Sequence, residues 1–80
     1  MKTFISAATA FYILSPGEIF DKNKINYDVN RMYIVFYKEN GWKYRHKSFT
    51  GWDEPLQETF DTENEALNAA YNHFLNNKLY

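Results

Sequence analysis

"YIVFYKENGWKYRHKSF", residues 33–49, places six aromatic and five basic side chains, counting His46, around one Asn-Gly pair. Asn-Gly between apolar runs is a strong hairpin signal. The register of that hairpin decides which side chains become core and which become surface, because a one-residue slip turns every side chain over. A two-residue loop at Asn40-Gly41 would set Lys38 against Lys43 and Phe36 against Arg45, mixing both faces. A three-residue loop, Glu39-Asn40-Gly41 with Gly41 left-handed as a bulge, pairs Phe36 with Tyr44 and Ile34 with His46. The second register separates core from surface and is preferred. It gives Met32, Ile34, Phe36, Trp42 and Tyr44 to the core. Tyr33, Val35, Tyr37, Lys43, Arg45 and Lys47 go to the opposite face, where cation–π contacts would make aromatics and cations compatible in water.

A helix to cover the core face is legible further on. In "FDTENEALNAAYNHFLNN", residues 60–77, Ala66, Leu67, Ala70, Tyr71, Phe74 and Leu75 recur at helical spacing. Thr62 followed by Glu65 reads as a capping box, and Glu63 and Glu65 suit the positive end of the helix dipole. Asn76 and Asn77 are plausible stops, and His73 is expected on the polar side. Earlier in the chain, Ile25, Tyr27 and Val29 alternate as a strand would, and "LQETF" (56–60) reads as a short strand. Gly51 and Pro55 mark a loop in which Trp52 either lids the core or makes an outside contact. Residues 3–14 fit helix or strand; the aromatic and β-branched "FYIL" favours strand, with Pro16-Gly17 turning the chain. These elements predict a single α+β domain over residues 1–80. It is an antiparallel sheet of three or four strands with one long C-terminal amphipathic helix on one face.

Composition narrows the function. The 80 residues hold no cysteine, so disulfides and thiolate metal sites are excluded, and 20% are aromatic. Large aromatic side chains are the remaining way to strengthen so small a core. The net charge of −1 divides unevenly: +4 over residues 1–50 and −5 over residues 51–80. Lys2 before an apolar run hints at a leader, but no small-x-small site follows Leu14, and none is expected. No stretch reaches the apolar length of a membrane span. A cytoplasmic protein without membrane partner, metal or cofactor is expected.

Catalytic patterns are missing: there is no phosphate-binding Gly-rich loop, dinucleotide fingerprint, nucleophile elbow or HExxH. Ser48, His46 and Asp53 are near one another in sequence, but His46 is expected to point coreward as a structural residue. Asp53-Glu54 sits in a loop without an apolar pocket to raise a carboxyl pKa. No catalytic residue is assigned, and the chain reads as a binding module rather than an enzyme. The residues expected to meet a partner are Tyr33, Tyr37, Lys43, Arg45 and Lys47, with Trp52 as an outlying contact. A protein partner suits Tyr and Arg. Single-stranded nucleic acid, through base stacking and phosphate charge, is the alternative. A homodimer through the sheet edge or face is the third option.

The order of elements from Met32 to Asn77 resembles a layout of small phage and mobile-element proteins. An aromatic strand, Asn40-Gly41-Trp42 at a turn, a second strand and "FDTENEALNAAYNHF" follow one another. Two families share it. The arm-type DNA-binding domain of tyrosine integrases would imply DNA reading by Arg45, Lys43, Lys47 and Tyr37, although the acidic "GWDEPLQETFD" departs from that basic family. The type I-F anti-CRISPR inhibitors are similar in length and in Glu39-Asn40-Gly41 and Phe60-Asp61-Thr62. That resemblance implies a phage-encoded inhibitor acting in the host cytoplasm, blocking a host defence complex by direct contact.

Overall fold

A computed structural model describes residues 1–6, 8–21, 31–48, 51–52 and 58–76. Five strands form one sheet in chain order: β1 (Lys2–Ser6), β2 (Thr9–Ile13), β3 (Arg31–Lys38), β4 (Gly41–Ser48) and the two-residue β5 (Gly51–Trp52). Helix α1 (Glu63–Asn76) packs on one face, against β3 and β4. The architecture is α+β, with the C-terminal helix over a sheet as the pattern predicts. The proposed strand at residues 25–29 lies outside the described residues, as do Leu56 and Gln57 of "LQETF"; the rest of that expected strand is reduced to a single bridge, Phe60 with Trp42.

The sheet is mixed rather than antiparallel. β1 and β2 form a hairpin with Ser6 opposite Thr9, so residues 3–14 hold two strands rather than one. Ala8 carries the turn with φ 60°, a conformation alanine seldom takes and sequence does not flag. From Ile13 the chain leaves through residues 14–30, and β3 then returns parallel to β2. Parallel neighbours require such a long connection, whereas a tight turn would have made them antiparallel. The first part turns at Pro16-Gly17, where Glu18 N–H donates to the Ser15 carbonyl at 2.9 Å. Phe20 then packs against Tyr12, ring centroids 5.6 Å apart, on the face away from the helix. Over β2 and β3 both faces of the sheet thus carry packed apolar side chains. All five residues of β2 are buried, which accounts for its nearly unbroken apolar run.

Two-sided cover also corrects the β3–β4 register. Lys38 pairs with Gly41, Tyr37 with Trp42, Val35 with Tyr44 and Tyr33 with His46. The turn is Glu39-Asn40, both left-handed at φ 57° and 64°, and Gly41 is the first residue of β4. Glycine is needed there for space: a β-carbon would overlap the Thr59 methyl group where residues 59–60 cross the strand. Trp42 and Phe60 exchange backbone hydrogen bonds at that crossing, 2.9 and 2.8 Å. Consequently Tyr33 and Val35 belong to the helix-side core, with Phe11, Ile13, Tyr44, Ala66, Ala70 and Phe74. Ile34, with Met32 and Phe36 packed beside it, joins Ala10, Tyr12 and Leu14 in a second cluster on the far face. Because β3 is apolar on both sides, its alternation could not choose between them.

The turn supplies a stability prediction. Glutamate at a left-handed position costs about 1–2 kcal/mol, more than its exposed ion pair with Lys43 returns. Glu39→Asn combined with Asn40→Gly should therefore raise stability by about 1 kcal/mol in a urea titration. A lower midpoint would mean that the turn is held by something other than local backbone preference.

Thr62 caps α1 as expected: its hydroxyl accepts from Glu65 N–H at 3.1 Å. Ala66, Ala70 and Phe74 form the buried stripe, while Leu75, expected on it, is 43% exposed. Lys2 Nζ lies 2.9 Å from Glu63, tying β1 to the helix start.

Candidate functional site

The β3–β4 ribbon presents two different surfaces. On the face away from the helix, Lys43, Arg45 and Lys47 occupy alternate positions of β4, opposite Phe36, Ile34 and Met32. All three cations are half-buried, and Lys43 Nζ lies 3.5 Å from Glu39. Alternate residues of a strand stand about 6.8 Å apart, so the cations form a spaced row beside an apolar one. Partly covered stems with charged ends are how long basic side chains sit on apolar surface.

Of the tyrosines expected beside these cations, neither is there. Tyr37 is 42% exposed near the hairpin turn on the helix side, its ring edge-on to Trp42 with centroids 5.5 Å apart. Tyr33 is 0% exposed and cannot touch a partner. The correction follows from the register: Tyr33 pairs with His46, under the helix, and not among the cations. Trp52 is opposite Lys47 in β5, and its side chain lies outside the described residues. The structure therefore brings together Lys43, Arg45 and Lys47, and separates Tyr33 and Tyr37 from them.

Beneath α1 lies a polar cluster that sequence reasoning did not assemble. Arg31, at the start of β3, is 5% exposed. Its Nε donates to His46 Nε2 at 3.0 Å, and its Nη2 donates to the Tyr33 hydroxyl at 3.0 Å. The Tyr33 oxygen is in turn 2.6 Å from His73 Nδ1. A guanidinium only donates, so His46 accepts through Nε2, which places that ring's proton on Nδ1. The Tyr33 hydroxyl keeps its own proton for His73 when that ring is protonated on Nε2. Arg31 also lies over the Phe74 ring, 5.6 Å from its centroid. Buried polar groups are retained where each finds a partner, and this network joins β3, β4 and α1.

His73 was expected on the solvated side of the helix, but it is half-buried and bonded to Tyr33. Its position was readable: residues 66, 70, 73 and 74 fall on one stripe at i, i+4, i+7 and i+8. His46 points coreward as expected, though against Tyr33 rather than Ile34; their rings stack at 4.6 Å. Beside it, burial pushes the Tyr44 phenol above its ordinary pKa, and the Glu58 carboxylate adds to the shift.

Among the described residues no three His, Asp or Glu side chains are grouped to hold a metal ion. No described helix is long and apolar enough to cross a membrane. No protein family, curated protein or solved structure matches this chain.

Proposed function

We propose that this chain is a non-enzymatic module that acts by binding another protein through the outer face of the β3–β4 ribbon. The observation carrying this reading is the row Lys43, Arg45 and Lys47 beside the half-buried Met32 and Phe36, with Ile34 buried between them as part of the core. Half-covered cations next to apolar side chains suit a partner surface that is acidic and apolar together. A partner carboxylate that pairs with the Arg45 guanidinium as it excludes water would gain more than a solvent-exposed ion pair gives. The polar cluster under α1 is nearly closed to solvent, which favours a structural part for it over contact with a substrate.

The finer reading is a phage-encoded inhibitor that blocks a host defence complex in the host cytoplasm. It rests on the resemblance of the Glu39-Asn40-Gly41 and Phe60-Asp61-Thr62 segments to the type I-F inhibitors. Single-stranded nucleic acid is the second reading, because alternate cations about 6.8 Å apart can follow successive phosphates. A net charge of −1 favours the protein partner.

The test compares the wild-type chain with the triple variant Lys43→Gln, Arg45→Gln, Lys47→Gln, its fold checked by thermal melting. Cross-linking capture from a bacterial lysate should recover a protein with wild type and lose it with the variant. Oligonucleotides, followed by tryptophan fluorescence, should not bind at physiological salt. Binding that falls steeply with salt would replace the protein reading with the nucleic-acid one. Capture indifferent to the three substitutions would remove this face from consideration.

A further inference from the structure

We propose that the outer edge of β1 pairs with the β1 edge of a second copy of this chain. The two strands run antiparallel about a two-fold axis through Phe4, joining two sheets into one. This surface is at the opposite side of the sheet from the β4 row, so it stands or falls independently of the binding reading above.

The backbone groups of β1 alternate in direction, and every second residue faces away from β2. Leu14 N–H donates to the Val35 carbonyl at 2.9 Å, so the backbone of Leu14 faces β3. Directions alternate along a strand, and Thr9, Phe11 and Ile13 therefore face β1. Their partners Ser6, Phe4 and Lys2 face back toward β2. The N–H and C=O groups of Thr3 and Ile5 are left pointing outward, and among the described residues no strand lies beyond β1. Two β1 strands placed antiparallel with Thr3 opposite Ile5 of the second copy satisfy those outward groups in both chains. The same register sets Phe4 opposite Phe4 in a close, non-hydrogen-bonded pair, and Lys2 opposite Ser6. Nothing of like charge meets.

A stack of aromatic rings also ends at this edge. Phe4 stacks on Phe11 at 4.6 Å and 7°, and Phe11 on Tyr33 at 5.0 Å and 6°. Tyr33 stacks on His46 at 4.6 Å. The rings cross β1, β2, β3 and β4 at about the strand spacing of 4.7–4.9 Å. At the β1 end the stack stops open, with Phe4 37% exposed, and a second Phe4 extends it. On the other face Ile5 is 48% exposed. Edge strands usually carry a guard, such as an inward charge, a proline or a bulge. "KTFIS" has its one charge at the end and neither of the other devices. A self-complementary patch across a two-fold is the commonest way for identical chains to associate.

Light scattering after size exclusion should give the mass of two chains at high concentration, falling toward one on dilution. Ile5→Pro removes only an outward N–H, so it should leave one chain at every concentration with its melting transition retained. The chain has no cysteine, so Phe4→Cys introduces a single thiol that meets its own copy. Mild oxidation should link it rapidly into a disulfide dimer, with the oxidant taking up the two electrons and the two thiol protons released. Ser6→Cys, whose two copies would be about 13 Å apart along the strands, should not link. A wild-type chain that stays single at all concentrations overturns the proposal. So does a dimer that survives Ile5→Pro, or equal oxidation rates for Phe4→Cys and Ser6→Cys.

Discussion

Phe11→Ala is expected to lower stability by about 3–5 kcal/mol, with the upper end favoured by the site. Phe11 has no exposure and meets four other rings: Phe4, Tyr33, Tyr71 and Phe74, with centroids between 4.6 and 5.7 Å. Two of those rings are fixed by neighbouring strands and two by the helix, so little can move in to fill the space. A domain of this size has a total stability of about 4–12 kcal/mol, and the substitution removes a large share of it. Urea titration should show a midpoint strongly reduced with the slope retained. Leu75→Ala is the control: its side chain is 43% exposed, and the change should stay within about 0.5 kcal/mol. Equal effects at the two positions would mean that the sheet and helix do not meet over Phe11.

The contrast between Phe11 and Leu75 shows what the sequence could and could not convey. The helix was legible because its signals are local: Thr62 satisfies an amide three residues on, and Ala66, Ala70 and Phe74 follow one period. The hairpin was legible too, but Asn-Gly suggested the wrong turn. Glycine at 41 serves the close crossing of Thr59, a contact between segments distant in sequence. β3 posed a harder problem, since Tyr33-Ile34-Val35-Phe36 is apolar on both faces and either could be core. Only the return of residues 14–21 over the far face shows that both are. The same long connection makes β3 parallel to β2, which no local pattern records.

For the candidate site, the basic residues of β4 were separated from the core correctly, because strict alternation with Trp42, Tyr44 and His46 marks them. Tyrosine misled, because a ring that looks suited to an interface is equally suited to a core once its hydroxyl is bonded. Tyr33 is bonded on both sides, to Arg31 and His73. Arg31 carries no local sign of burial. Its burial depends on acceptors contributed by β3 and β4 and on the Phe74 ring of a helix far away in the chain.

Arg31→Met is therefore expected to destabilise the fold by about 2–5 kcal/mol, although it replaces a buried charge with an apolar side chain of related length. The substitution leaves His46 Nε2 and the Tyr33 oxygen without the donor that now reaches each at 3.0 Å. A stranded buried acceptor costs about 1–3 kcal/mol, and the methionine chain recovers part of the loss by packing on Phe74. Tyr33→Phe keeps the ring but takes the hydroxyl away from Arg31 Nη2 and His73 Nδ1, and should cost about 1–3 kcal/mol. If the three groups act as one network, Arg31→Met with Tyr33→Phe will cost less than the sum of the single changes by at least about 0.5 kcal/mol. Chemical denaturation of the four chains in the cycle measures that difference. Simple additivity would show that Arg31 is held by other contacts and that Tyr33 is bonded through His73 alone. A neutral or stabilising Arg31→Met would show that the charge is carried at a net cost, as buried ionic groups sometimes are. In that case the network's role would lie in fixing register: β3 is apolar on both faces, and the Arg31–His46 bond forms only when Tyr33 and His46 stand opposite each other.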